Sequence, residues 1–163
     1  MIILDLKKKY SKLIKRKTYQ GVIRSLKDHQ IFVFGSNAEG RHSKGSALVA
    51  RMKYGAIYGQ PEGAQGQSYA IVTKDLTKKK HPSISISCIK RQIKDLYKYA
   101  KDHPDNEFWI VYRANTENLN GYTDLEMVDM FKARSVPMNI IFEEEFNKLI
   151  FGDIDPKFHP LFK

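Results

Sequence analysis

Only one cysteine, Cys88, occurs in the 163 residues, so no disulfide can close within the chain. The five histidines (His29, His42, His81, His103 and His159) show none of the close Cys/His spacings of a zinc site, and no structural metal is expected. No apolar run approaches the roughly 20 residues that cross a bilayer, so no membrane partner is expected either. At the start, the apolar run Ile2 to Leu4 gives way to Asp5 and then lysines, too short for a signal-peptide core; a cytoplasmic location is the expectation. The dinucleotide fingerprint G-x-G-x-x-G is missing, and no cofactor is called for by the pattern.

What is present suits a single folded domain. Hydrophobic residues make up 42% and aromatics 12% of the chain, which argues against disorder, and the length is enough to bury a core without staples. The net charge of +10 is unevenly placed. Residues 1–30 and residues 74–101 each carry nine Lys/Arg against two acids, while the remainder is mildly acidic. Such segments read either as solvated helix faces or as attraction to a polyanion such as nucleic acid.

Hydrophobic periodicity divides the chain into alternating elements. Residues 1–30 form a basic, mainly helical N-terminal segment: Leu6, Tyr10, Leu13 and Ile14 recur at helical spacing behind Asp5 as a cap, and Gly21 marks a break. After it, "VIRSLKDHQ" forms a short helix or an irregular approach to the core. "IFVFG" is a doubly buried strand followed by the loop Ser36 to Lys44 and a helix from Ser46 that Gly55 ends. "YGQPEGAQGQ" reads as an ordered loop or a pair of turns before a strand centred on Tyr69 to Val72. Ile89, Ile93, Leu96, Tyr97 and Ala100 define the clearest helix, with a lysine-rich opposite face. "EFWIVY" is a strand, Thr123 and Glu126 form the capping box of a helix to about Ala133, "MNIIF" is a last strand, and "EEEFNKLIF" a last helix. This alternation implies a three-layer α/β/α domain with a mixed central sheet over residues 31–163.

In such sheets ligands sit beyond the carboxyl ends of the strands, which selects the loops 36–44, 58–67 and 113–122. Gly40 and Gly45 have the glycine spacing of a P-loop, but Ser46 and Ala47 stand where that motif needs Lys and Ser/Thr, so an NTPase is excluded. What remains is general: glycines that admit an anion, a helix N-terminus and Arg41, or else a loop whose glycines only meet turn geometry. Asn37 reads as a partner for a hydroxyl-bearing ligand or as an Asx-turn residue. His42 reads as a proton carrier or as a surface histidine.

"FVFGSNAEGRH" with "GSALVA", then "YGAIYGQPEGAQGQSYAIVTKD", and later "NLNGYTDLEMVDMF", resembles a group of small bacterial and phage proteins related to the macrodomains, over roughly Ile31 to Phe146. The resemblance implies a three-layer α/β/α macrodomain-like fold that binds ADP-ribose or a derivative and cleaves an ADP-ribosyl bond, through de-ADP-ribosylation or processing of ADP-ribose 1″-phosphate. By position it implies that Asn37 contacts the distal ribose and that Gly40, Arg41, His42 and Gly45 surround the ribose and diphosphate. Gly35 and Ser36 join the ligand-binding set, as do Gln67, Ser68, Thr73, Lys74 and Asp75 in the second segment. Asn118, Asn120, Gly121 and Tyr122 belong to the second phosphate loop. A water held between diphosphate and Asn37 would attack the anomeric carbon while His42 assists proton movement; these two are the implied catalytic residues.

Two departures stand out. Ser43 replaces a glycine, and "ANTENLN" replaces a glycine-rich run, so the second loop either approaches a diphosphate less closely or offers side-chain amides in place of backbone N–H groups. A non-catalytic binder that sequesters an ADP-ribose-type signal, as a phage anti-defence protein in host cytoplasm would, is the second reading. A nucleic-acid-associated module acting through the basic segments is the third.

Overall fold

The computed structural model describes residues 16–152. The helix expected over Asp5 to Lys17 falls almost wholly outside them, as does the stretch 153–163. In chain order the elements are β1 (Thr18–Tyr19), β2 (Gln30–Asn37), α1 (Gly45–Lys53), β3 (Gly63–Gln65), β4 (Ser68–Lys74), α2 (Ile86–Asp102), β5 (Glu107–Ile110), α3 (Asp124–Lys132), β6 (Ile140–Glu143) and α4 (Glu144–Phe151).

The six strands form one sheet in the order β1-β6-β5-β2-β4-β3. Every neighbouring pair is parallel except β3 with β4, so the sheet is mixed, with its antiparallel strand at an edge. Side chains alternate across the central strands, as the period of two requires. Val33, Tyr69 and Ile71 join the core under α2, α3 and α4, while Phe32, Phe34 and Ala70 face α1. Helices therefore cover both faces, in keeping with a three-layer α/β/α arrangement. The larger core cluster is built on fully buried Ile89, Leu96, Phe108, Ile140, Phe142 and Phe146.

Capping follows the sequence signals. Thr123 accepts from the Glu126 N–H and the Glu126 side chain returns to the Thr123 N–H, completing the box at the start of α3. Ser85 caps α2 and Glu143 caps α4. The segment 20–29 is irregular, and its Ile23 and Leu26 pack on the α1 side of the sheet.

Two expectations need correcting. Within the segment 1–30, expected to be mainly helical, the described residues 16–30 hold no helix, and Thr18–Tyr19 instead joins the sheet beside β6. "YGQPEGAQGQ" contains the strand β3, whose Gln65 lies opposite Ser68 across the two-residue turn Gly66–Gln67. Just before β1, Arg16 donates to the carbonyls of Val136, Pro137 and Ile140, and Lys17 pairs with Glu107 at 2.9 Å. The Tyr19 hydroxyl donates to Ile110 O at 2.6 Å, and its ring stacks on Trp109. Residues 16–19 are thus fastened to β5 and β6.

Candidate functional site

A cleft of about 550 Å³ opens at the carboxyl ends of β2, β4 and β5. A second chamber of about 460 Å³ adjoins it, and both are lined by Gly45, Ser46, Val111, Tyr112 and Asn118. These shared residues make a waist between two compartments. On one side of it is the first turn of α1, where Lys44 is the N-cap and no side chain caps the helix. The uncapped turn gives the waist a positive helix end with backbone donors.

The larger chamber adds charge of the same sign. Arg41, Lys44 and Lys74 line it, and no carboxylate side chain does. Among the described residues no hydrogen bond or ion pair engages the Arg41 guanidinium, and Arg41 and Lys44 are exposed. The floor is apolar, formed by Val33, Ile71, Ile89, Ile110, Met127 and Phe131. Such a chamber can hold an anion at its rim and an uncharged group beneath.

The first loop is held by Asn37. Its Oδ1 accepts the Arg41 N–H at 2.8 Å, and its Nδ2 donates to Arg41 O at 2.9 Å. Asn37 also lines the cleft, and one amide N–H and one oxygen lone pair remain to it. The loop-stabilising role and a ligand-facing position therefore coexist in one side chain. Gly40 has φ of +67°, and a Cβ there would lie 2.7 Å from Gly59 C, so only glycine permits the loop to meet the 58–65 segment. Replacing Asn37 with alanine removes two hydrogen bonds of roughly 1 kcal/mol each, and urea unfolding should show a loss of about 2 kcal/mol.

His42 lies elsewhere than expected. It is fully buried, its Nε2 donates to Gln60 O at 3.0 Å, and its ring meets Phe34 edge-on; it is not among the residues lining the cleft. The side chain joins two loops instead of reaching a ligand. Gln67 and Ser68 are also displaced, because β4 runs parallel to β2 and they stand at its amino end, roughly 20 Å from Lys74 at a strand rise of about 3.3 Å. There Gln67 donates to Lys27 O and Gln30 O, and Ser68 donates to Gln65 O.

Asp75 turns to Thr77, whose hydroxyl and N–H it accepts; these bonds hold its carboxyl below the usual range. Gly35, Ser36, Thr73 and Lys74 do line the cleft, as do Asn118 and Asn120. The latter two spend much of their capacity within their own loop: Asn118 Nδ2 donates to Tyr122 O at 2.8 Å, and Asn120 Oδ1 accepts the Tyr122 N–H at 2.9 Å. Gly121 and Tyr122 sit behind the lining, Gly121 against His81 and Pro82, and the Tyr122 hydroxyl donating to Ile84 O.

Several contributors escaped sequence reasoning. Tyr112 lines both chambers, and its hydroxyl donates to Asp124 at 2.6 Å; burial first, then the Asp124 carboxylate, pushes its pKa up. Its place at the end of "EFWIVY" was the available signal. Asp124 also accepts the Asn115 N–H, which ties the second loop to the start of α3. Leu76 and Leu119, both exposed, line the larger chamber, and Tyr19, Val22 and Ile23 wall the smaller.

Among the described residues, no group of three or more His, Cys, Asp or Glu could hold a metal ion, and no helix is long and apolar enough to cross a membrane. No protein-family model matches the chain, and neither curated proteins nor solved structures give a significant match.

Proposed function

We propose that the cleft binds an ADP-ribose-type nucleotide, free or as an ADP-ribosyl group. The observation that carries this reading is the pair of chambers meeting at the uncapped start of α1, with cations and no carboxylate in the larger one. A ligand with two bulky ends joined by a diphosphate matches that outline: each chamber falls within the size range of small-molecule sites, and a helix N-terminus favours phosphate between them. The macrodomain resemblance supplies the identity of the ends. Isothermal titration tests it: ADP-ribose should bind one to one and at least about tenfold more tightly than AMP, which fills one chamber, a difference of about 1.4 kcal/mol. Absence of heat with millimolar ADP-ribose on folded protein would sink the proposal.

Hydrolysis of an ADP-ribosyl bond is the reaction that accompanies this reading. Its water would be oriented by the free valences of Asn37 and by the ligand's own diphosphate, because His42 is enclosed. One observation favours capture without turnover: no His, Asp or Glu side chain lines the larger chamber, so neither an imidazole nor a carboxylate base stands there. Chromatography of an ADP-ribosylated substrate after incubation separates the two. Free ADP-ribose marks the hydrolase, and unchanged ligand in a tight complex marks sequestration.

A further inference from the structure

A surface on α2 is left unused by the cleft. Ile89, Ile93, Leu96, Tyr97 and Ala100 are buried, and the opposite face presents Lys90, Lys94, Lys98 and Lys101, all exposed. At 3.6 residues per turn and 1.5 Å per residue these four fall within about 80° of arc and span about 16 Å of axis. Lys78, Lys79 and Lys80, also exposed, lie in the connection leading to the helix.

Local counter-charge is sparse. Asp95 pairs with Arg91, which also reaches Glu62 at 2.6 Å, and Asp75 and Asp102 are the other acids within residues 74–102. Among the described residues none of the seven lysines has an ion pair. Lysines four apart on a helix repel one another, so the row carries an unfavourable self-energy that a polyanion would relieve. The track also starts near the cleft: Lys74 and Leu76, just ahead of Lys78, line the larger chamber.

We propose that the lysine face of α2, with residues 78–80, is a docking track for a nucleic-acid backbone, and that the nucleotide entering the cleft is carried on such a strand. The second half rests on the ADP-ribose reading; the track does not. Contacts along it are to phosphate, because Tyr97 is buried with its hydroxyl on Phe131 O, and Tyr99 is half-buried and stacked on His103. Recognition is accordingly independent of base sequence. An acidic protein partner calls for an apolar, aromatic centre to its interface, which this face lacks. A lipid surface calls for a free apolar helix face, and that of α2 is inside the core.

Fluorescence anisotropy with a labelled single-stranded oligonucleotide, at salt from about 50 to 200 mM, provides the test. Four phosphate contacts give a slope of log affinity against log salt of about −3, and the triple variant K90Q/K94Q/K98Q should make it shallower by about 2. ADP-ribose titration of the same variant should match wild type, because none of the three lysines lines the cleft. An unchanged slope in the variant overturns the track, as does displacement of the oligonucleotide by polyglutamate at equal charge, which would assign the face to an acidic protein. Oligonucleotide binding without ADP-ribose binding would uphold the track and refute the cleft assignment. ADP-ribose binding without oligonucleotide binding would do the reverse.

Discussion

Replacing Gly121 with alanine is expected to lower the unfolding free energy by about 3 kcal/mol, from a positive-φ cost of roughly 1–2 kcal/mol and an overpacking cost of roughly 1–3 kcal/mol. Gly121 has φ of +88°, and a Cβ on it would stand 2.4 Å from both His81 C and Pro82 N. Those neighbours are backbone atoms and cannot swing aside as a side-chain tip would. The connection holding them is itself fixed, since the Tyr122 hydroxyl donates to Ile84 O. In a chain of this length the change corresponds to a fall in Tm of about 6–12 °C. It should also weaken ligand binding, because Asn118 and Asn120 line the cleft from the same loop. Chemical denaturation with an unchanged m-value is the measurement; a loss below about 1 kcal/mol would mean that the loop and the 81–84 segment separate easily.

Reversing Arg41 to glutamate should weaken ADP-ribose binding by about a hundredfold, or roughly 2.7 kcal/mol, through loss of a charge-assisted contact and gain of repulsion. Stability should not move, since Arg41 is exposed and its guanidinium has no hydrogen-bond or ion-pair partner among the described residues. Only its backbone N–H and carbonyl are used, by Asn37, and these survive the substitution. Titration calorimetry beside an unfolding curve gives both halves. A change of less than about threefold in affinity would show that the anion lies elsewhere, on Lys44 or Lys74 at the same rim.

Local chemistry was legible where local forces decide. The unbroken apolar run of β2, the spacing along α2 and the Thr123/Glu126 box each depend on residues a few positions apart, and each element formed where the pattern placed it. β3 escaped because three residues beginning with Gly63 carry no alternation, and its existence rests on pairing with β4. For the site, the strand-end rule selected the loop after β2, whose Asn37 and Arg41 do line the cleft, as does Gly45, which its glycine spacing had singled out. Gln67 and Ser68 were misplaced because proximity in a motif says nothing of strand direction. His42 was misread because its burial depends on Phe34 below it and Gln60 beyond it, neither adjacent in sequence. The smaller chamber was invisible for the same reason: its wall at Tyr19 to Ile23 is brought in by pairing of β1 with β6, more than a hundred residues away.

The brevity of the outer strands bears on how the protein behaves when crowded. Among the described residues the sheet ends in two residues of β1 on one side and three of β3 on the other. Gln60 Nε2 occupies the Ala64 carbonyl on the β3 side, and Glu62 beside it is tied to Arg91. A neighbouring chain would find too short a ladder there to extend the sheet, and charge beside it. The hydrophobic strands that make the core, β2 and β4 above all, lie inside the sheet, where edge-to-edge polymerisation cannot start.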